Sequence, residues 1–235
     1  MDTSAAPGSG VGVAVDLVIL TLHEGRLSVA LVQRGEEPFA GTWALPGGPV
    51  GEHEDLDQSA YRVLENEAMI GEESVHVEQL RTFGAPGRDP RGRVVSVAFM
   101  ALGADLPAPR RGADVADARW WAVEELAGVE LGFDHREVLD CALERARAKL
   151  EYSTLAVTFL PAEFTVSQLR GVYEAVWGSG LDAGNFHRKA TRTPGFVEEL
   201  DRFAAPTGGR PARLYRAGTG TTLQPPLLRS GEESA

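Results

Sequence analysis

Between Trp43 and Ile70 the chain passes from a Gly/Pro-bearing lead-in, Trp43-Ala-Leu-Pro-Gly-Gly48, into an amphipathic helix, and this unit limits the architecture more than any other stretch. Residues 38–48 are too rich in Gly and Pro for regular structure, whereas Ala60, Leu64 and Ala68 recur every four residues and predict a helix over about 57–68 with one apolar face. Such a face must lie on a sheet or on another helix. Strand-like runs stand on both sides: residues 11–22 and 27–34 before the helix, then 79–83, 94–102 and a short run near 119–123 after it. The segment Gly84-Ala-Pro-Gly-Arg-Asp-Pro-Arg-Gly-Arg93 reads as loop, and a helix start is expected at Glu124. Strands mixed with helices to residue 133 indicate an α/β layer arrangement.

Beyond Phe133 the pattern turns helical. Asp134 is the expected N-cap of a helix over 135–150, whose stripe Val138, Leu139, Ala142, Leu143, Ala146 and Leu150 predicts one buried face; we read it as the connection between two domains. In the remainder, Thr165 or Ser167 caps a helix carrying Leu169, Val172, Tyr173 and Val176 on one face, and a Gly178-Ser-Gly180 turn follows. Asp182 opens a second helix, which Pro194-Gly195 stops. Residues 196–203 and 213–216 complete a hairpin tipped by Pro206-Thr-Gly-Gly-Arg-Pro211. Helix, tight turn, basic helix and basic-tipped hairpin are the parts of a winged helix-turn-helix. The expected division is a disordered tail over 1–10, an α/β domain over 11–133, the connecting helix over 134–150, a winged helix over 151–223 and a second disordered tail over 224–235.

The net charge of −11 argues against a nucleic-acid partner until it is divided. Residues 1–150 hold 14 basic and 25 acidic side chains, whereas residues 151–235 hold 9 of each. The second half also gathers its bases, so local sign governs docking on a polyanion. Asn185, Arg188, Lys189 and Arg192 fall at offsets that share one helix face, suited to base edges in a major groove. Ser167 and Gln168 start the preceding helix and Gly208-Gly-Arg210 marks a wing tip able to touch phosphate; these, with Arg213, complete the expected DNA-binding set. The single Cys141 forms no internal disulfide, and neither a signal segment nor a membrane span is present in the sequence, so a cytoplasmic location is expected.

In the loop-helix unit, Gly48, Glu54, Arg62, Leu64, Glu67 and Ile70 stand in the spacing of the Nudix box, G-x5-E-x7-R-E-U-x-E-E-x-G-U, where U is aliphatic. The stretch resembles that family but departs at three positions: Val63 and Asn66 replace glutamates, and Met69 replaces the glycine. Positions 63, 66 and 67 of a regular helix share a face on which three carboxylates would hold Mg²⁺ against a pyrophosphate. Only Glu67 remains of them, and Glu65 lies roughly 200° round the helix from it. No catalytic residue, metal ligand or required cofactor is therefore assigned, with weak Mg²⁺ binding the most that the remnant would support. His53-Glu-Asp-Leu-Asp57 lacks the second His of a zinc helix, and no GxxxxGK[ST] or GxSxG occurs.

Over residues 11–217 the chain resembles the Nudix-related transcriptional regulator (NrtR) family. The likeness rests on the altered box, on Gly87-Arg-Asp-Pro-Arg91, Gly132-Phe-Asp-His135 and Lys149-Leu-Glu-Tyr-Ser153, on Pro161-Ala-Glu-Phe-Thr165 with Leu169-Arg-Gly-Val-Tyr173, and on Thr207-Gly-Gly-Arg-Pro211 with Leu214-Tyr-Arg216. That resemblance implies an α+β fold, a Nudix α/β/α sandwich followed by a C-terminal winged helix-turn-helix. It further implies a homodimeric repressor on a palindromic operator in double-stranded DNA, with a Nudix domain that senses ADP-ribose or a related NAD-derived nucleotide. Residues expected at the nucleotide are Arg34, Trp43, Gly47, Gly48, Glu67, Phe83, Arg88, Arg91, Arg93 and His135. The arginines suit a diphosphate because a guanidinium grips two oxygens at once. Alternatives are an active hydrolase of ADP-ribose or another nucleoside diphosphate derivative, using Glu54 and Glu67, and a Nudix-derived protein-interaction module.

Overall fold

Strand β1 (Gly12–His23) forms the spine of the first domain because both of its faces are apolar. Val15, Leu17 and Ile19 point to one side of the sheet and Val18 and Leu20 to the other, each wholly buried. The computed structural model describes residues 10–68, 75–110, 115–205 and 211–229; the side chains of Glu67 and Ala68, the expected tail over 1–9 and the wing tip with Arg210 lie outside the described residues.

β1 pairs antiparallel with β2 (Arg26–Arg34) from Leu20 to His23. Nearer its start it abandons β2, and Ala14 to Asp16 pair instead with the short β4 (Gly47–Pro49), which follows β3 (Trp43–Ala44). After helix α1 (Leu56–Val63) come β5 (His76–Phe83), β6 (Val94–Leu102) and β7 (Val115–Ala122). β6 lies parallel to β1 from Gly12↔Val94 to Leu20↔Leu102, and the main path of the mixed sheet is β3-β2-β1-β6-β5, with β7 on β2. Two and three residues are too few to show a period of two, so β3 and β4 were hidden in what the sequence presents as a loop.

Asp55 caps α1: its carboxylate accepts from the Gln58 N–H at 2.8 Å while the Gln58 side chain accepts from the Asp55 N–H at 2.9 Å. The regular spacing expected through residue 68 stops at Val63, and Leu64–Ala68 widens into a π turn. Ala60, Val63 and Leu64 pack on Val15, Leu17, Ile19, Ala30, Val97, Phe99 and Ala101, which makes α1 one layer of the sandwich.

On the opposite face lies α2 (His135–Tyr152), and every residue of its predicted stripe is buried there. It is also a layer of the first domain, because Val138, Leu139 and Ala142 belong to the same core as Val18, Leu20, Met100 and Leu102. That core continues through Leu150, Ala156 and Phe159 into the second domain, where helix α3 (Val166–Trp177) carries Leu169, Val172, Tyr173 and Val176. Arg147 donates to the Val176 carbonyl at 3.1 Å, and the Trp177 indole donates to the Arg147 carbonyl at 3.2 Å.

The second domain is a winged helix. Thr165, not Ser167, caps α3, in a capping box closed by Gln168. Gly178 ends α3 at φ 70°, a left-handed conformation that glycine adopts without steric cost. Asp182 caps helix α4 (Ala183–Arg192) by accepting from the Asn185 N–H at 2.7 Å. Phe186 and Ala190 anchor α4 beneath, with Phe186 on Tyr173 at 5.3 Å between ring centres. The short β8 (Phe164–Thr165) joins the predicted hairpin, β9 (Val197–Phe203) and β10 (Arg213–Ala217), in the order β8-β10-β9.

The tail expected from Gln224 is instead docked as far as Arg229. Leu223 and Leu227 are 2% and 4% exposed, and their N–H groups donate to the carbonyls of Tyr152 and Glu151, each at 2.8 Å. Arg229 bridges Glu151 at 2.7 Å and Glu144 at 2.9 Å. A proline pair and a charged end masked Leu227, which is buried. No described helix is long and apolar enough to cross a membrane.

Candidate functional site

Where β1 exchanges β2 for β4, the sheet opens a cleft of about 580 Å³. Its walls come from Ala14 and Asp16 on β1, Arg34 at the end of β2, Gly47 and Gly48 on β4, the segment with Arg88 and Arg91, and Phe133 and His135 at the start of α2. Gly47 is dictated by contact, since a Cβ there would lie 2.6 Å from both the Asp16 carboxylate and the Val15 carbonyl.

Asp16 anchors the floor. Ser96 donates to it at 2.5 Å and Arg88 at 3.1 Å, while the His135 ring nitrogen Nε2 faces it at 3.4 Å. Burial pushes its carboxyl pKa up, but His135, Ser96 and Arg88 together outweigh that and hold it at about 2. The other ring nitrogen of His135 accepts the Leu45 N–H at 2.9 Å, so the imidazole presents its proton to Asp16. Asp134 stands at the N-cap position of α2 without capping it, because both its oxygens receive Arg88, at 2.6 and 2.8 Å. Arg88 is thus clamped between two carboxylates with 4% of its side chain exposed. Burial lowers its pKa, and the two aspartates more than reverse this.

Phe133 faces the cleft from a left-handed backbone, φ 56°, which is strained for a residue with a side chain. It packs on Phe39 at 4.8 Å and on His135 at 5.1 Å between ring centres. The guanidinium carbons of Arg34 and Arg91 stand 4.9 and 5.6 Å from the centre of the same ring.

Six of the expected nucleotide residues therefore converge: Arg34, Gly47, Gly48, Arg88, Arg91 and His135. Phe83 does not, being 3% exposed in the core on the α2 side. Trp43 is half-buried edge-on against Trp121, and Arg119 covers both rings, so neither aromatic offers a face to the cleft. Arg93 is exposed and donates to the Val94 carbonyl, outside the lining. Arg88 lines the floor with Nε and one terminal nitrogen held by Asp134 and Asp16, an internal anchoring that the sequence did not indicate. Sequence reasoning missed Asp16, although one acid within the apolar run 11–22 was a signal that could have revealed it.

The altered box folds into a brace. Glu54 accepts from Arg62 at 2.7 Å, from Ser59 at 2.8 Å and from the Gly51 N–H at 3.1 Å, and Arg62 also donates to the Pro49 carbonyl at 2.9 Å. Arg62 above all, with Ser59, holds the Glu54 carboxyl pKa at about 2. Val63 is 2% exposed and faces apolar side chains, while Asn66 is exposed and neutral. Among the described residues, no three His, Cys, Asp or Glu side chains group to hold a metal ion.

In the winged helix, Asn185, Arg188, Lys189 and Arg192 are exposed on the outer face of α4. Arg188 donates to the Asn185 side-chain carbonyl at 2.7 Å, and none of the three cations is ion-paired with a described residue. Ser167 is exposed at the start of α3, as is Gln168, whose side-chain carbonyl is taken by the capping box. Arg213 is not a free cation: it pairs with Glu199 at 2.6 Å and lies over Phe203, just as Arg216 pairs with Glu198 at 2.7 Å.

Known proteins resemble this arrangement along most of the chain. Residues 11–140 match the NUDIX domain, and residues 156–217 match the NrtR DNA-binding winged helix domain. The ADPR responsive transcriptional repressor NtrR of Acinetobacter baylyi is 34% identical over 202 residues, which span 86% of this chain and 80% of its own. The crystal structure of Shewanella oneidensis NrtR complexed with a 27mer DNA has a TM-score of 0.75 at 32% identity and covers 88% of this chain and 94% of that one. The NUDIX domain of the same Shewanella protein, complexed with ADP ribose, has a TM-score of 0.55 at 34% identity and covers 61% of this chain and 94% of that one.

Proposed function

We propose, for a chain that belongs to the Nudix-related NrtR regulators, a DNA-binding transcriptional repressor in the cytoplasm whose DNA affinity is set by ADP-ribose or a related NAD-derived nucleotide. The observation that carries this reading is the pairing of a built cleft with an unneutralised basic helix on one continuous core. The cleft ends on the first residues of α2, and the other end of α2 is bonded to α3, which supports α4. A nucleotide that fits the cleft in one arrangement of α2 better than in another shifts DNA affinity by that difference. Two copies on a palindrome are part of the proposal.

We also propose that the cleft binds without efficient hydrolysis. Val63 buried in apolar core, a neutral Asn66 and a Glu54 committed to Arg62 support this reading. A sensor that destroyed its signal would reset itself.

The test is fluorescence anisotropy of the full chain on DNA from upstream of its own gene, titrated with ADP-ribose. The expected change in DNA affinity is about fivefold or more. Arg188→Ala should weaken specific DNA binding by about tenfold or more while ADP-ribose still binds. Absence of DNA binding at low salt would refute the repressor, and Mg²⁺-dependent turnover of ADP-ribose abolished by Glu67→Gln would refute the non-hydrolytic sensor.

A further inference from the structure

The matched winged-helix residues end at 217, together with β10, yet the chain beyond them is bonded both to α2 and to the turn that ends α4. Helix α4 is about 15 Å long, and its two ends are held differently. Its front end belongs to α3: Glu174 accepts the Leu181 N–H at 2.9 Å, and Phe186 stands on Tyr173. Its rear end turns at Thr193, whose N–H and hydroxyl donate to the Lys189 carbonyl at 3.0 and 2.8 Å, and leads to wholly buried Phe196.

Residues 218–229 take hold of that rear end. Gly218 donates to the Phe196 carbonyl at 2.9 Å, and Gly220 donates to the Gly195 carbonyl at 2.8 Å. A Cβ on Gly218 would collide with the Gly195 carbonyl, and one on Gly220 would lie 2.9 Å from it, so the contact is backbone against backbone. The segment then crosses to α2. Thr154 donates its hydroxyl to the Gly220 carbonyl at 2.8 Å and its N–H to the Thr221 carbonyl at 3.2 Å, while Ser153 and Thr222 form an antiparallel bridge. The N–H groups of Leu223 and Leu227 are bonded to the last turn of α2, and Arg229 reaches Glu151 and Glu144, about two turns of the helix. A helix gripped at one end can swing about the grip; a second grip at the other end fixes its direction.

We infer that residues 218–229 are a strap that sets the direction of α4 against α2, a second route from the nucleotide-bearing domain to the DNA-reading helix that bypasses α3. This rests on the reading of the chain as a nucleotide-responsive repressor and adds an element that carries the response. Direction matters because the recognition helices of a two-fold dimer must meet half-sites a fixed distance apart.

The experiment reads direction and response separately. Nitroxide labels at Asp140→Cys on α2 and His187→Cys on α4, both exposed positions, are placed in a full-length Cys141→Ala background. Pulsed dipolar spectroscopy, with labelled chains diluted into unlabelled protein, then gives the distance between the two helices of one chain. Arg229→Ala removes both ion pairs, and Gly220→Ala forces the strap off Gly195; thermal melts set a temperature at which each variant is folded. The parent should show one narrow distance, which both variants lose to a broad distribution. Without labels, each variant should bind ADP-ribose within about twofold of the parent, because the cleft is remote from the strap. The effect of ADP-ribose on DNA affinity, about fivefold or more in the parent, should fall below about twofold. Parent-like distances in both folded variants would overturn the strap, even with a lowered melting temperature, since the segment would then be a stabilising cover alone. A parent-like response to ADP-ribose despite broadened distances would equally overturn it. Broadened distances in the variants, with no effect of ADP-ribose on DNA affinity in the parent, would uphold the strap and refute the nucleotide sensor.

Discussion

Restoring the two missing glutamates, Val63→Glu and Asn66→Glu, is the direct attempt to recover a hydrolase, and the structure predicts that it damages the fold instead. Val63 is 2% exposed and packs with wholly buried Val15, Leu17, Ile19, Ala60 and Leu64. A carboxyl placed there has no described polar partner among those side chains, so burial raises its pKa from about 4.3 to roughly 7 or higher. At about 1.4 kcal/mol per unit, the cost at pH 7 is about 3–4 kcal/mol. For a chain of this length that lowers the melting temperature by roughly 6–15 °C. The sign with pH follows from a folded pKa above the unfolded one: relative to the parent, the variant is least impaired below about pH 4.3 and loses stability as pH rises to 7 and beyond. Asn66→Glu, at an exposed position, should change stability by less than about 0.5 kcal/mol. Circular dichroism melts of the three variants between pH 4.5 and 8 read all of this. A double variant that melts with the parent at pH 7 and turns over ADP-ribose with Mg²⁺ would show that position 63 faces a metal site, and the reasoning would fail.

Other expectations concern the buried ions and the docked segment. Arg88→Met leaves Asp16 and Asp134 without their cation and should cost about 3–5 kcal/mol, read in urea titration. The depressed Asp16 pKa predicts stability that is present above about pH 3.8 and is lost as pH falls toward about 2, amounting to about 2 kcal/mol; acid titrations of the parent and Asp16→Asn should diverge in that window, with the variant flatter. Leu227→Ala, outside the matched winged-helix residues, should destabilise the whole chain by about 2–4 kcal/mol, and a cost below 0.5 would mean that residues 224–229 are not docked in solution.

The parts of the molecule that were legible in sequence are those specified locally. The stripe on α2, the capped pair α3 and α4 and the hairpin β9–β10 all obey short-range periods or turn chemistry, and each forms where expected. The illegible parts depend on distance. Asp16 meets Arg88 across 72 residues of chain, and Arg88 meets Asp134 across 46, so nothing in the neighbourhood of any one announces the others. The same absence hid the aspartates that hold Arg88, whose motif predicts a phosphate ligand and says nothing of its internal anchoring. Phe83 and Trp43 were misassigned for a related reason: an aromatic in a strand or loop reads alike whether it faces a cleft or a core, and only packing decides. Val63 is the converse, since its apolar character was read as a missing ligand and proved to be a filled position in the core.

The unbroken apolar core from β1 through α2 to α3 bears on how such a molecule can switch. Domains hung on a slack tether sample a continuum of angles, and occupancy of one then tunes the other by degrees. Here α4 rests on α3, α3 on the end of α2, and α2 on the sheet, with Leu223 and Leu227 closing the joint from behind. Reorienting α4 requires interlocked side chains to leave one set of grooves for another, and dense interiors permit that as a jump between discrete arrangements rather than as gradual bending. A chain built this way passes between discrete states, and a bound effector acts by changing how the population divides between them.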